Sequence, residues 1–330
     1  MGYLFCRHGY LDYDYVSCMV KDYITQYKAE KISLVISVLN PIVTIAAKVL
    51  DLPLVAITQS CYHPRKIYKS IRWWDTLPED LPNAVHTVNR VLKDYSLKTV
   101  NSMEELCVSD LTIIPSFKEF DPLNDKNAIY SGIMTWNDSI GHDDDFNKIW
   151  IDNNNSKTIY VYTGRMHDSG GKSGLLILKN VIEAFKNTEY NIIITTGVGE
   201  MPIEYKNMTM PENIQVMEWI PVSKILKKID LFIHHGGHGL CLQSVLSNKP
   251  SIIIPTYDER EYNARHIEKL GISKYILPEN ITPNILKEES MSFINDNMFY
   301  KKSQRLTNAI NQANYPGAEG IAELISKIIQ

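Results

Sequence analysis

The feature that most constrains the fold is the segment from Asp230 to Gly271, which reads as strand, glycine-rich turn, helix, strand, loop and helix. Residues 230–234 are apolar and β-prone, residues 235–239 are the turn His-Gly-Gly-His-Gly, and residues 250–255 are a second apolar strand. Two short apolar strands joined by a helix are typical of a βαβ unit, whose sheet is parallel. The segment therefore predicts an α/β fold.

The glycine-rich turn is suited to an anionic ligand. Glycine lets the backbone approach a ligand closely, and the start of a helix presents N–H groups at the positive end of its dipole. Phosphate is the ligand that this geometry favours. The chain contains neither GxGxxG nor GxxxxGK[ST], so the turn is neither a dinucleotide fingerprint nor a P-loop.

A second βαβ pattern lies near the start of the chain. Residues 33–39 and 52–58 are apolar strands, and Asn40-Pro41 begins a helix between them, because asparagine is a good N-cap and proline suits the first helical position. Fresh strands are predicted at residues 158–163, 191–196 and 214–217. With 330 residues the chain has room for two domains.

Composition excludes several classes of protein. A net charge of −4 gives no reason to expect nucleic-acid binding, and no apolar run approaches the ~20 residues of a membrane span. The 5 cysteines are scattered and never spaced C-x-x-C, so reduced thiols of a cytoplasmic protein are expected. Residues 60–82 interleave basic and aromatic side chains. That segment is compatible with peripheral contact to a membrane, with an acceptor site, or with a loop that packs its tryptophans onto its own domain.

The motif continues beyond the turn with Gln243, then Pro-x-x-x-Glu at residues 255–259 and Asn-Ala at residues 263–264. This long, gapped pattern resembles the donor-site signature of the family 1 nucleotide-sugar glycosyltransferases, the UDP-glycosyltransferase superfamily, in its bacterial and archaeal macrolide-type members. The resemblance covers the chain from about Ser33 and is most specific from Pro211 to Gly271. It implies the GT-B fold, an α/β architecture of two doubly wound Rossmann-like domains that face a cleft, here with the N-terminal domain truncated.

The same resemblance implies the domain boundaries. We expect an incomplete N-terminal, acceptor-side domain at residues 1–140 and a linker at residues 141–157, which are polar and acidic. A nucleotide-sugar-binding domain is expected at residues 158–300. The last helices, at residues 301–330, are expected to pack back on the first domain.

The resemblance also implies a set of donor-binding residues. Trp219 would stack on the base beside the Ile220 backbone, His235 and the following amides would bind the diphosphate, and Gln243 would bind the ribose. Glu259 and Arg260 would bind the donor sugar. The complete donor-binding set is Gly164, Arg165, Trp219, Ile220, His235, Gly237, Gly239, Leu240, Gln243, Glu259 and Arg260.

Four residues depart from the family pattern, which favours weaker donor binding or a different donor. Leu240 replaces a hydroxyl residue, Gln243 replaces a glutamate, Arg165 replaces a small hydroxyl residue, and Val222 replaces a glutamine or histidine. The family's opening strands, with the loop that carries the catalytic base, have no counterpart before Ser33.

His8 and Asp12 are the candidates that remain for the catalytic base, although ordinary surface charges in a terminal segment explain the pair better. The missing strands leave the sheet with an open edge, which is an aggregation hazard. Three explanations are possible: a second chain supplies the missing strands, the gene start is misassigned, or residues 1–30 cover the edge. We favour a separate N-terminal-half subunit or a homo-oligomer over a free monomer.

The resemblance implies a hexosyltransferase that moves a sugar from a UDP or dTDP donor to a hydroxyl of a small-molecule, lipid or glycan acceptor, with inversion. No metal or other cofactor is implied, because His235, backbone amides and the helix dipole would meet the developing charge. The alternative is a non-catalytic, degenerate subunit that binds or scaffolds an active partner. A nucleotide-sugar epimerase shares the architecture, but its motifs do not resemble those of this chain.

Overall fold

The computed structural model describes residues 5–67, 82–134, 156–164, 171–197, 203–220 and 222–329. These residues form two compact units. Unit 1 contains the described residues up to Met134 together with those from Asn314 onward, and unit 2 contains residues 156–313. Each unit is a parallel sheet packed with helices, so the predicted α/β fold class is confirmed.

Unit 1 is built on a four-stranded sheet with the order β1-β2-β3-β4, and every neighbouring pair is parallel. Its strands are β1 (Val35–Val38), β2 (Leu54–Ile57), β3 (Leu111–Ile114) and β4 (Ile129–Tyr130). Its first helices are α1 (Tyr13–Ala29), α2 (Pro41–Val49) and α3 (Val85–Asp94). Helix α2 begins as the sequence predicts, because the Asn40 side chain accepts a hydrogen bond from the Val43 amide at 3.3 Å and Pro41 follows the cap.

The N-terminal helix α1 leaves two apolar side chains of β1 exposed. Helix α1 packs on α2 and α3, where Val16 and Val20 are fully buried. Ile36 and Val38 of β1 are 49% and 62% exposed. The suggestion that residues 1–30 cover the edge of the sheet is therefore wrong for the described residues, because the apolar face of α1 is used by its neighbouring helices.

Unit 2 is built on a six-stranded parallel sheet with the order β10-β9-β8-β5-β6-β7. Its strands are β5 (Thr158–Tyr162), β6 (Asn191–Thr195), β7 (Ile214–Met217), β8 (Leu231–His234), β9 (Ser251–Ile253) and β10 (Ser273–Tyr275). Its helices are α4 (Gly171–Phe185), α5 (Ile203–Lys206), α6 (Val222–Ile225), α7 (His238–Leu246), α8 (Asp258–Lys269), α9 (Pro283–Ile294) and α10 (Asn297–Gln312). Strands β5, β6 and β8 are nearly all buried, as expected for parallel strands covered on both faces.

The strand order of unit 2 reverses beside β5. The chain runs from β5 outward to β6 and β7, then returns to form β8 on the other side of β5. In doubly wound sheets the crevice that binds ligands lies at such a reversal, outside the carboxyl ends of the strands. In unit 2 the segments at that place are residues 163–164 after β5 and residues 235–237 after β8.

The last helix, α11 (Gly317–Ile329), belongs to unit 1. Ile321 packs with Val55 and Ile113 of the unit 1 sheet, and the Gly317 amide donates to the Ser131 carbonyl at 2.9 Å. The chain changes unit at Asn314 rather than at residue 301, because α10 packs on α7 in unit 2. Most of the expected linker at residues 141–157 lies outside the described residues. Among the described helices, none combines the length and the apolar character that a membrane span requires.

Gly132→Ala is expected to destabilise unit 1 more than Gly317→Ala. Both glycines have a left-handed φ, +76° and +66°. An added Cβ at residue 132 would lie 2.5 Å from the Tyr315 Cβ, whereas one at residue 317 would meet no described atom within 4 Å. Left-handed strain costs both variants about 1–2 kcal/mol, and the overlap adds about 1–3 kcal/mol at residue 132. Urea unfolding measures both losses, and equal losses would contradict the close contact with Tyr315.

Candidate functional site

The turn between β8 and α7 depends on a close approach of two backbones. Gly236 has φ +90°, and an added Cβ there would lie 2.9 Å from the carbonyl oxygen of Arg260 in α8. Gly237 is the N-cap of α7 and brings no side chain to its first amides. The first amides of a helix have no partner within the helix, so this turn presents N–H groups and the positive end of a dipole.

His235 lies where the carboxyl ends of β5 and β8 meet. Its ring is 8% exposed and packs edge-on against Tyr162, with 5.2 Å between ring centroids. An added Cβ on Gly164 would lie 3.6 Å from that ring, and one on Gly237 would lie 2.8 Å from its Nε2. The structure therefore brings the predicted residues Gly164, His235 and Gly237 together at the crevice of unit 2.

His235 is uncharged in this environment. Burial, the Arg260 guanidinium and His234 together hold the pKa of His235 well below its usual value, against a hydrogen bond to the Tyr162 carbonyl that raises it. The Nδ1 atom is buried and has no hydrogen-bond partner among the described residues. A buried polar atom without a partner is costly, so a ligand group that forms a hydrogen bond with Nδ1 would relieve that cost.

His234 is fully buried beneath the same turn. Its Nδ1 accepts a hydrogen bond from the Gly236 amide at 3.1 Å, which leaves the proton of the neutral ring on Nε2. Burial lowers the pKa of His234 to about 3. The ring is therefore neutral at ordinary pH and shapes the turn as a hydrogen-bond acceptor.

Helix α8 presents three buried polar side chains to the turn. Glu259, Arg260 and Asn263 are 7%, 5% and 1% exposed. The Asn263 amide donates to the Glu259 carboxylate at 2.7 Å and to the Gly236 carbonyl at 3.0 Å. Burial raises the pKa of Glu259, while the charges of Arg260 and His238 lower it. The two residues predicted to bind the donor sugar thus lie beside the predicted diphosphate turn.

The Arg260 guanidinium is held in a fixed position. It lies 4.0 Å from the centroid of the Tyr257 ring, and its Nη1 donates to the Thr256 hydroxyl at 2.8 Å. Its positive charge acts on both His235 and Glu259, lowering the pKa of each. A cation held by stacking and a hydrogen bond offers a ligand a preformed positive charge.

The remaining predicted donor residues lie along the same edge of the sheet. Trp219 follows β7 and is 48% exposed, whereas Ile220 is 2% exposed in an apolar cluster against which Leu240 packs. Gly239 has open space around it, and Gln243 is half-buried in α7.

Since β7 and β8 are three strand spacings apart, Trp219 lies about 14 Å along the edge from His235. Val222 packs against the Ile220 cluster, and Arg165 lies outside the described residues.

The candidate catalytic pair His8 and Asp12 is not brought together. Asp12 is the N-cap of α1, where its Oδ1 accepts hydrogen bonds from the Asp14 and Tyr15 amides at 2.9 and 3.2 Å. His8 is exposed, and the two side chains form no hydrogen bond or ion pair in the part of the chain that the structure describes. The structure gives Asp12 a capping role, which is the ordinary one for an aspartate before a helix.

The motif contained two buried residues to which sequence reasoning assigned no role. His234 belongs to a His-His pair, and Asn263 belongs to the quoted Asn-Ala dipeptide. The available signal was the spacing of Glu259 and Asn263, which places both side chains on one face of a helix. The hydrogen bond from Asn263 to the Gly236 carbonyl could be seen only in the structure.

A separate pocket of about 990 Å³ lies in unit 1, with His63, Arg65 and Asp125 on its wall. It opens near Leu54 and Asp110, at the amino ends of the strands. Doubly wound sheets bind ligands at the opposite, carboxyl ends, so this pocket is not part of the candidate site. Within the described residues, no three His, Cys, Asp or Glu side chains are grouped so that they could hold a metal ion.

The free energy of unfolding is expected to fall as the pH is lowered from about 6.5 toward 3. His234 has a pKa of about 3 when folded and 6.5 otherwise, so the unfolded state binds more protons in this range. The loss reaches about 1.4 kcal/mol per pH unit for one such group, and His235 acts in the same direction. His234→Asn keeps an acceptor for the Gly236 amide but does not titrate, so its slope should be shallower. Urea unfolding at pH 7, 6 and 5 compares the two proteins, and equal slopes would contradict the depressed pKa.

Comparison with known proteins identifies the relatives of this architecture. Residues 179–327 match the family described as Erythromycin biosynthesis protein CIII-like, C-terminal domain. The chain is 32% identical over 148 residues to NDP-glycosyltransferase YjiC of Bacillus licheniformis, a match that covers 45% of this chain and 36% of the relative. It is 26% identical over 152 residues to demethyllactenocin mycarosyltransferase of Streptomyces fradiae, covering 46% of this chain and 32% of the relative.

Solved structures match over most of the chain. The glycotransferase of kitacinnamycin has a TM-score of 0.72 at 16% identity, and the match covers 96% of this chain and 81% of the other. Spinosyn rhamnosyltransferase SpnG has a TM-score of 0.71 at 15% identity, covering 97% and 80%. The matched region spans only about a third of the two curated relatives. Residues 179–327 are therefore similar in sequence to glycosyltransferases of the macrolide type, and the fold of the chain is that of the GT-B glycosyltransferases.

Proposed function

We propose that this chain binds a nucleoside diphosphate sugar in unit 2 and transfers the sugar to a hydroxyl acceptor. The observation that carries the proposal is the buried, uncharged His235 with an unsatisfied Nδ1, which lies at the start of α7 beside Glu259 and Arg260. Positive charge and helix-start amides suit an oxyanion that gains charge during reaction.

The proposed ligand extends along the carboxyl edge of the sheet. Its diphosphate binds His235 and the first amides of α7, and its base stacks on the exposed indole of Trp219. Gln243, which follows these residues in α7, bonds the ribose. The donor sugar contacts Glu259 and Arg260, whose carboxylate and guanidinium suit sugar hydroxyls and phosphate oxygens respectively.

The proposed reaction is a displacement at the anomeric carbon with inversion. The acceptor oxygen forms the new bond to that carbon as its proton passes to a base, and the bond to the diphosphate oxygen breaks. The helix-start amides and His235 stabilise the charge that collects on the leaving diphosphate, without a metal ion in this proposal. The base is not assigned, since Asp12 caps a helix and His8 is exposed away from it.

The donor is a nucleotide of the uridine or thymidine type in this proposal. One SpnG structure is described as a complex with thymidine diphosphate, and its match to this chain has a TM-score of 0.67. The name of the relative demethyllactenocin mycarosyltransferase supports a small-molecule acceptor. The second candidate function is a non-catalytic subunit, which the departures at Leu240 and Gln243 and the unassigned base favour.

Trp219→Ala and His235→Ala are each expected to weaken nucleoside diphosphate binding. Loss of a stacking or hydrogen-bonding contact costs about 1–3 kcal/mol, or roughly ten- to hundredfold in affinity. Calorimetry with UDP and with dTDP measures the effect. Met298→Ala is a matched control, because Met298 is 58% exposed in the same unit but outside the crevice. Unchanged affinity in both crevice variants would contradict the donor assignment.

We propose further that a second, strand-bearing subunit adds to the free edge of β1. Among the described residues β1 pairs only with β2. Ile36 and Val38 share a sheet face with their register partners Val55 and Ile57, which pack with α11, yet they are themselves 49% and 62% exposed. An apolar, unpaired edge favours strand addition from another chain.

Val38→Lys is expected to abolish association through the edge of β1, because it places a charge among the exposed apolar side chains of that strand. Native mass spectrometry of the purified chain, with and without the product of an adjacent upstream reading frame, measures the assembly. Glu119→Lys changes charge at an exposed position of the same unit and should leave the assembly intact. A homo-oligomer lost in Val38→Lys would identify a second copy as the occupant. A monodisperse monomer that transfers sugar unaided would refute the partner.

A further inference from the structure

The peptide group of Gly236 is held on both sides by buried side chains from different elements. His234, at the end of β8, accepts the hydrogen bond of the Gly236 amide at 3.1 Å. Asn263, in α8, donates to the Gly236 carbonyl at 3.0 Å. The two side chains are 0% and 1% exposed. These two bonds fix the orientation of the turn that leads from His235 to the start of α7.

Asn263 also joins the turn to the carboxylate beside it. Its amide has two hydrogens, and the Gly236 carbonyl and the Glu259 Oε1 use one each, the second at 2.7 Å. Its Oδ1 is buried without a hydrogen-bond partner among the described residues. The Asn263 nitrogen therefore holds a backbone carbonyl and a carboxylate at once, at the cost of the unpaired oxygen.

We propose that His234 and Asn263 are positioning residues that preorganise the His235 turn and the Glu259 carboxylate for the donor. This inference rests on the proposed function, because it assigns the turn to the diphosphate and Glu259 to the sugar. The physical reason is that amides fixed in advance bind an anion without losing conformational entropy on binding. Neither residue needs to touch the ligand for this effect.

The chemistry of the two positions explains why simple replacements would fail. An aspartate at residue 263 cannot donate to the Gly236 carbonyl when ionised, and it would bring a second carboxylate beside Glu259. An alanine there would leave the Gly236 carbonyl without its donor. At residue 234 an asparagine places an acceptor oxygen where the histidine has Nδ1, whereas an alanine places none.

A purely structural role would give a different result, and Asn213 supplies the matched control. Its amide nitrogen donates to the Phe185 carbonyl at 2.8 Å and to the Tyr190 carbonyl at 2.9 Å, also in unit 2. It precedes β7 and so lies at the amino edge of the sheet, opposite the candidate site. Asn213→Ala therefore removes comparable hydrogen bonds without disturbing the turn.

The experiment compares Asn263→Ala, Asn263→Asp, His234→Ala, His234→Asn and Asn213→Ala with the unaltered full chain. Amide hydrogen exchange of the ligand-free protein is expected to speed up at residues 236–240 in Asn263→Ala and His234→Ala, and to stay unchanged there in Asn213→Ala. Calorimetry is expected to show about tenfold weaker UDP or dTDP binding for Asn263→Ala and Asn263→Asp. His234→Asn should restore the affinity that His234→Ala loses.

Each outcome decides the inference. Losses of stability with unchanged exchange in the turn and unchanged nucleotide affinity would overturn it. If the unaltered chain binds neither UDP nor dTDP, the proposed function fails, and exchange alone then tests the positioning role. Faster exchange confined to residues 236–240 would support that role, whereas exchange that rises equally in Asn213→Ala would overturn it.

Discussion

The candidate site depends on one close backbone contact, the approach of Gly236 to the Arg260 carbonyl. Any Cβ at residue 236 would lie 2.9 Å from that oxygen, so the turn after β8 and the start of α8 can meet only through glycine. This contact brings the side chains of α8 beneath the start of α7. The buried carboxylate, guanidinium and imidazole of the site are neighbours because these two backbones touch.

Burial gives the site its chemical character. Two adjacent histidines are kept neutral by desolvation, while the Arg260 guanidinium is held in place by stacking on Tyr257 and bonding Thr256. A neutral imidazole next to a fixed cation gives the described part of the crevice a localised positive charge and several hydrogen-bonding groups. Such groups act on a ligand without first being stripped of water, which is why a buried polar site binds charge strongly.

Much of the fold followed from local pattern, since β1, β2, β5, β6 and β8 are short apolar runs in a chain with helical connections. The crevice residues Gly164, His235 and Gly237 were predicted through the resemblance to the family motif, and a glycine-rich turn between a strand and a helix agrees with that prediction. The hydrogen bonds of His234 and Asn263 to the Gly236 peptide were not predictable. The orientation of that peptide is set only by the folded sheet. The change of unit lies at Asn314 and not at the expected residue 301, because α10 is amphipathic and its sequence does not indicate which unit it packs on.

The placement of α11 has a consequence for synthesis. The four strands of unit 1 precede the described part of unit 2 in the sequence, whereas α11, which supplies Ile321 to the apolar cluster around Val55 and Ile113, follows it. Unit 2 lies wholly between these segments in the sequence and is complete earlier. At translation rates of about 5–20 residues per second, the unit 1 sheet waits roughly ten to forty seconds without its final helix. During that interval the face that Ile321 later covers is open to chaperones and to other nascent chains.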